Sequence, residues 1–169
     1  MLRSIHHAAI ICSDYPVSKH FYTEVLGLSV IAEHYRESRQ SYKLDLALPD
    51  GGQIELFSFP DAPPRPSRPE AQGLRHLAFA VDDVAACKAE LEAKGVAVEP
   101  IRVDEYTGRR FTFFADPDGL PLELYEKASR LFGSRPILAE LEARSPCFLG
   151  PSSARVPPRR NRGHQEHAD

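Results

Sequence analysis

Tryptophan is absent from these 169 residues, methionine occurs once and cysteine three times, as Cys12, Cys87 and Cys147. The cysteines are odd in number, widely spaced and free of any C-x-x-C, which excludes a disulfide-stapled scaffold and a thiolate zinc site and fits reduced thiols in the cytoplasm. No run of 18 apolar residues occurs, and Met1-Leu2-Arg3 leads straight into a strand-like segment, so neither a membrane span nor a signal peptide is expected. Charge of one sign is also scarce. A net charge of −3 gives no reason to expect nucleic acid or an anionic membrane as partner. With 42% apolar and 27% charged residues, the chain has enough apolar surface for a sizeable core, as one domain or two fused small modules.

What is present is a repeat. His7 opens the apolar run H-A-A-I-I-C and His76 opens H-L-A-F-A-V, while Glu55 closes D-G-G-Q-I-E-L-F and Glu123 closes D-G-L-P-L-E-L-Y. Between these marks the two stretches share one plan. Each opening strand leads to an acidic residue placed to cap a helix, Asp14 in one and Asp83 in the other. Val17, Phe21 and Val25 then recur at helical spacing before Gly27, as do Val84, Cys87 and Leu91 before Gly95. Three strand-like runs follow each helix, over 28–36, 41–48 and 53–58 and then over 96–103, 109–115 and 120–126. Asp50-Gly51-Gly52 and Asp116-Pro117-Asp118-Gly119 supply the last turn of each set. The expected fold is α+β, built of two tandem β-α-β-β-β units over 5–58 and 74–126, within a domain spanning 1–127.

Residues 59–72 join the units and hold Pro60, Pro63, Pro64, Pro66 and Pro69, a stiff extended connector. The segment 128–169 differs in kind. It carries seven arginines against four acidic residues, so it is basic while 1–127 holds a charge of −6. A short helix is expected over 136–143. Beyond Ser145 the Pro/Arg-rich composition buries too little apolar surface to offset its ordering entropy, and disorder is expected there.

The chemistry lies in the four repeated residues. Alternate side chains of a strand share a face, so Glu55 stands opposite Ile54 and Leu56, and Glu123 opposite Leu122 and Leu124. A carboxylate among apolar neighbours is costly to bury unless it is paired or bound to a cation. A single such Glu, or His7 alone, has an ordinary reading as a solvated or hydrogen-bonded side chain. Recurrence of both residue types at matching places of a duplicated unit argues for a metal site of His7, Glu55, His76 and Glu123. Imidazole and carboxylate donors suit Ni, Zn, Co, Mn or Fe, one divalent ion per site, and the lack of thiolate argues against a closed structural zinc. Four protein donors in an octahedral shell leave two positions for substrate oxygens. His6 faces the other side by strand parity and is expected to pack or to support His7.

Together the segments H-H-A-A-I-I-C-S-D-Y, F-Y-T-E-V-L-G-L, G-L-R-H-L-A-F-A-V-D-D and F-F-A-D-P-D-G-L-P-L-E-L-Y-E resemble the vicinal oxygen chelate superfamily over about 2–127, and within it the glyoxalase I-like branch. The resemblance implies an eight-stranded cup around the metal, formed in many members across a homodimer whose chains each give two ligands to each site. It implies a lyase or isomerase acting on a small molecule with vicinal oxygens through a metal-stabilised enediolate. Glu123, with Glu55 as its counterpart, would move the proton. One position departs from the pattern. Glutathione-dependent members carry an arginine four residues after the first ligand, and here that residue is Ile11.

Other cations are then needed to hold an anionic substrate, and Arg36, Lys43 and Arg109, with Tyr106 beside the last, are the substrate-binding candidates. The resemblance leaves other activities open: an Fe(II) dioxygenase, an epimerase, or a metal-free antibiotic-binding protein. An Fe(II) site normally needs two His and one carboxylate, so Glu55 is surplus there. The epimerases carry Gln at the place of Glu55, and a metal-free binder has no use for all four ligands.

Overall fold

A computed structural model describes residues 1–128. The expected helix at 136–143 and the disorder beyond it lie outside the described residues. The chain begins with β1 (His7–Cys12) and α1 (Tyr15–His20), continued by one π-helical turn over Phe21–Val25. The strands β2 (Ser29–Arg36), β3 (Ser41–Ala47) and β4 (Gln53–Ser58) complete the first unit. The second unit runs through β5 (Leu77–Val81), α2 (Val84–Ala93), β6 (Arg102–Val103), β7 (Arg110–Ala115) and β8 (Pro121–Glu126). Local chemistry sets the helix ends. Asp14 accepts from the Val17 N–H at 3.0 Å and Asp83 from the Ala85 N–H at 2.8 Å, each satisfying a donor that the first helical turn leaves free. Gly27 and Gly95 follow the helices with φ of +74° and +84°, a left-handed conformation that costs glycine little.

Each unit makes one four-stranded sheet, ordered β1-β4-β3-β2 and β5-β8-β7-β6, with the opening strand parallel to the closing strand and the other pairs antiparallel. The helix-side faces of the two sheets build a common core. Ile10, Cys12, Leu44, Leu46, Ile54 and Leu56 come from the first, and Phe114, Leu122 and Leu124, with Val84 and Leu91 of α2, come from the second. Truncating a leucine as deeply buried as Leu56 costs about 2–5 kcal/mol.

Two expectations are corrected. The strand expected over 96–103 is reduced to Arg102–Val103. Pro100 lacks the N–H that a ladder needs, and the segment docks through isolated bonds instead: Glu99 N–H donates to the Phe113 carbonyl at 2.8 Å, and the Thr112 hydroxyl to the Glu99 carbonyl at 2.7 Å. The eight strands also do not close into one cup. They remain two open sheets with no ladder between them, because the units join through their helix-side faces and turn the opposite faces outward.

That junction is polar as well as apolar. The Tyr22 hydroxyl donates to Asp116 Oδ2 at 3.0 Å, linking the π-helical turn of the first unit to the β7–β8 turn of the second. The other oxygen of Asp116 accepts from the Asp118 and Leu120 N–H groups at 3.0 and 2.8 Å. Asp118 in turn receives the Ser13 N–H at 3.1 Å, and Lys94 reaches the Val25 carbonyl at 2.8 Å. Burial pushes the Asp116 carboxyl above its ordinary value of 3.8, against the hydrogen bonds that favour its charge. Folded protein therefore holds this proton more tightly than unfolded chain. The stability it adds is full below pH 3.8, declines as pH rises through the raised value, and levels off above it. In urea titrations the stability of wild type relative to Asp116→Asn should accordingly fall as pH rises above about 4. A difference that stays flat over that rise contradicts this account of the junction.

Candidate metal centre on two sheet faces

Strand register sorts the outward face of the first sheet into rows. Ala9, Glu55, Asp45 and Ala32 lie side by side across its four strands, and Ile11, Phe57, Lys43 and His34 form the next row. His7 shares the row of Gln53 and Ala47. Its Nε2 lies 3.7 Å from Glu55 Oε2. Lys43 Nζ donates to Glu55 Oε1 at 3.0 Å and also to Asp45. Burial works against the Lys43 charge, but these bonds outweigh it and hold the ammonium above its ordinary value of 10.5. His6 is exposed rather than packed, its Nδ1 3.0 Å from His7 Nδ1.

The second sheet repeats the arrangement with different neighbours. His76 Nε2 lies 3.0 Å from Glu123 Oε2. Glu123 is only 7% exposed, and burial pushes its carboxyl up, opposed by the adjacent His76. Register puts Phe113 beside Glu123, where Asp45 stands in the first sheet, and Phe111 beside Tyr125, where Lys43 stands. The His76 ring meets Phe113 edge-on at 5.2 Å. One half of the site is thus charged and the other aromatic.

Only the second pair has the spacing of two donors to one ion. Metal–nitrogen and metal–oxygen bonds of about 2.1 Å place adjacent donors about 3.0 Å apart at right angles and somewhat farther at tetrahedral angles. The 3.0 Å of the second pair matches the right-angle bite, whereas the 3.7 Å of the first is wider than the tetrahedral one and would have to close on an ion. Among the described residues, however, no group of three or more potential ligands comes together. Pseudo-symmetry was expected to bring both pairs to one locus; within one chain they stay on separate sheets. Two clefts, of about 610 and 570 Å³, lie one beneath the proline connector, where it reaches Ala9 and Ile11 at the edge of the Glu55 face, and one beside α2, and no residue of either His–Glu pair lines them.

The substrate-binding candidates divide. Arg36 and Lys43 are on the Glu55 face, the guanidinium and the ammonium 5.2 and 5.8 Å from the centre of the Phe57 ring. Tyr106 is 89% exposed in the loop before β7. Arg109 reaches only the Glu126 carbonyl, at 3.5 Å, so neither touches a His–Glu pair. Arg110 is engaged by Glu126 at 2.7 Å and Arg75 by Glu70 at 3.5 Å. Three features escaped the reading of the sequence. Asp45 shares Lys43 with Glu55; strand parity and the Asp50-Gly51-Gly52 hairpin could have revealed it. Arg102 lies over Phe111 and Phe113 at 5.1 and 5.4 Å, on a strand too short to be read by alternation. Tyr125 donates to Asp104 at 2.8 Å, and that bond, with the Tyr106 N–H, holds the Asp104 carboxyl below its ordinary range.

Duplicated β-α-β-β-β units, each presenting a His–Glu pair on its open face, define the class: a tandem two-sheet scaffold. The model of the Glyoxalase/Bleomycin resistance protein/Dioxygenase superfamily matches residues 4–124, and the chain belongs to that superfamily. It is 63% identical over 127 residues to uncharacterized protein YwkD of Bacillus subtilis, covering 75% of this chain and 99% of that one. A glyoxalase family protein from Enterococcus faecalis, known from its crystal structure, is 49% identical with a TM-score of 0.70, over 73% of this chain and 98% of that one. More distant is a 2-epi-5-epi-valiolone epimerase of Actinomyces, 31% identical over 142 residues, 72% of this chain and 78% of the epimerase.

Lys43 holds two facing carboxylates in place, so Lys43→Met leaves Asp45 and Glu55 opposed across the β3–β4 pair. Metal-free Lys43→Met protein should lose roughly 1 kcal/mol of unfolding free energy at pH 7 in urea titration. The raised Lys43 value gives the sign: this contribution persists up to about pH 10.5 and fades as pH rises through the folded value. Unchanged stability at pH 7 contradicts the assigned role.

Proposed function

We propose that the chain is a divalent-metal-dependent lyase or isomerase of glyoxalase type, acting on a small molecule with vicinal oxygens. The carrying observation is the recurrence of a His–Glu pair on matching faces of both units, at 3.7 and 3.0 Å. Completion of a four-ligand site then requires the first face of one chain to meet the second face of a partner, as a twofold homodimer. Exposed apolar residues along the outer strands, Val30, Ile31 and Val103, support such pairing.

His7, Glu55, His76 and Glu123 would hold the ion, which when bound polarises two substrate oxygens and stabilises charge developing on them. The chain's own residues divide the remaining work. Lys43 neutralises Glu55 and fixes its orientation. Glu123 sits among aromatic side chains with its carboxyl pushed up by burial, the environment that favours taking a proton from a carbon beside a carbonyl and returning it to the neighbour. Phe111, Phe113 and Tyr125 form a wall that keeps water from the reacting carbons.

A second reading has specific support. The Actinomyces relative is an epimerase, and epimerisation also moves a proton at a carbon beside a carbonyl. Retention of both carboxylates favours the glyoxalase-type transfer between adjacent carbons. Solvent deuterium incorporated at a single carbon with inversion, and no change in the carbonyl position, marks the epimerase instead.

Two outcomes test the proposal. Purified protein should bind about one divalent ion per chain by calorimetry and elemental analysis, and His76→Ala should abolish tight binding while keeping the fold. Full occupancy in a His7→Ala/His76→Ala double variant overturns the ligand assignment. Ile11 offers no cation to a glutathione carboxylate, and one lost charged hydrogen bond costs roughly 1.5–3 kcal/mol, about one to two decades in specificity. Turnover of the glutathione–methylglyoxal adduct should therefore be weak. A specificity constant above about 10⁶ M⁻¹s⁻¹ with any of the metals marks an ordinary glyoxalase I.

A further inference from the structure

The outer corner of the first sheet's open face holds a cation that no carboxylate among the described residues neutralises. Arg36 is half-buried on β2, its guanidinium 5.2 Å from the centre of the Phe57 ring. Its Nε is buried without a hydrogen-bond partner, and Nη2 makes only a long bond, 3.3 Å, to the buried Ser41 hydroxyl. No carboxylate among the described residues lies within ion-pair distance of it. Lys43, over the same ring at 5.8 Å, is already taken by Asp45 and Glu55. The two cations therefore differ in kind: Lys43 serves the protein's own carboxylates, whereas Arg36 is positioned and unspent.

Register measures where that anion lies. Phe57 follows Glu55 by two residues on the same face of β4, a displacement of about 7 Å along the strand. Arg36 pairs with Ser41, one row beyond that of His34, Lys43 and Phe57, and its side chain reaches back over the Phe57 ring. The apolar floor between is Phe57 itself, whose ring Phe59 extends by stacking at 5.9 Å. The second sheet has no counterpart to this corner. Phe111 occupies the place of Lys43, and Arg102 over Phe111 is already paired with Glu99 at 2.7 Å.

We propose that Arg36, on its Phe57 platform, is the anchor for a distal anionic group of the substrate, so that the substrate class is a vicinal-oxygen compound bearing a carboxylate or phosphate beyond the chelated oxygens. This deepens the functional proposal and rests on its placing the reacting oxygens at the His7–Glu55 face. A planar guanidinium held against a ring suits a carboxylate or a phosphate equally, because both accept two parallel N–H bonds. A neutral diol or a single hydroxy acid leaves Arg36 unmet.

The test uses the full chain, with and without Ni²⁺, titrated calorimetrically with three probes. Lactate has the chelating hydroxy acid alone, malate adds a distal carboxylate, and 3-phosphoglycerate adds a distal phosphate. Wild type should prefer malate or 3-phosphoglycerate over lactate by about 10- to 100-fold, and whichever wins identifies the anion. Arg36→Gln should collapse that preference to about threefold or less, Arg36→Lys should retain part of it, and Arg39→Gln, an exposed arginine of the β2–β3 turn, should retain all of it. Thermal melting establishes that the variants are folded. A preference undiminished in Arg36→Gln, or no preference for either dianion in wild type, overturns the proposal. Failure of the metal reading shows separately, as affinities indifferent to Ni²⁺. The ratio of malate to lactate in metal-free protein then decides for or against Arg36 by the same criterion.

Discussion

Two carboxylates in the middle of apolar strands set the terms for this molecule. Leu56 and Ile54 flank Glu55, and Leu122 and Leu124 flank Glu123, all of them buried. Strand alternation sends the leucines into the core and forces each carboxylate onto the opposite face, where it must find a cation or meet a desolvation cost. The two units answer differently. Glu55 is met by Lys43 and by His7, and Glu123 by His76 alone, inside an aromatic surround. The core and the site are consequently the two sides of the same strands, and the alternation that stabilises one creates the other.

The way the units join decides what one chain can do by itself. Tyr22 with Asp116, Ser13 with Asp118 and Lys94 with the Val25 carbonyl tie the helix-side surfaces together. Each open face then carries one His–Glu pair, and under the proposed function two donors are too few for a divalent ion that normally takes four to six. Duplication supplies complementary halves, and the residues surrounding them have diverged. Asp45 and Lys43 make the first half polar, while Phe113 and Phe111 make the second apolar. A site assembled from both has a charged wall and an aromatic wall, which suits a substrate charged at one end.

Much of this was legible in the sequence because its signals are local. Alternation and the Asp–Gly turns located β3, β4, β7 and β8 to within a residue or two, and Asp14 and Asp83 marked the helix starts. Arg36 and Lys43 were legible only as candidate cations of the first unit, and strand register puts them on the Glu55 face. What could not be read depends on long-range geometry. Pro100 broke a strand whose apolar residues still alternate, so 96–103 looked more regular than it is. Tyr106 and Arg109 were attractive for their chemistry, but a loop carries no parity, and the fold leaves the ring in solvent. Above all, symmetry within a sequence does not reveal whether equivalent strands face each other or face apart. The contacts of Tyr22 and Ser13 with the β7–β8 turn determine that, and no local pattern announces them.

The central claim is that a complete metal centre forms only where the first face of one chain meets the second face of another. It is tested by mixing two inactive partners, His7→Ala/Glu55→Gln and His76→Ala/Glu123→Gln, unfolding and refolding them together, and measuring bound Ni²⁺. Each protein alone should hold no tightly bound ion. Random pairing should restore about one tight site per four chains, since half the dimers are mixed and each mixed dimer regains one intact site. No recovery of metal in folded mixed dimers, or tight binding by either variant alone, contradicts the account.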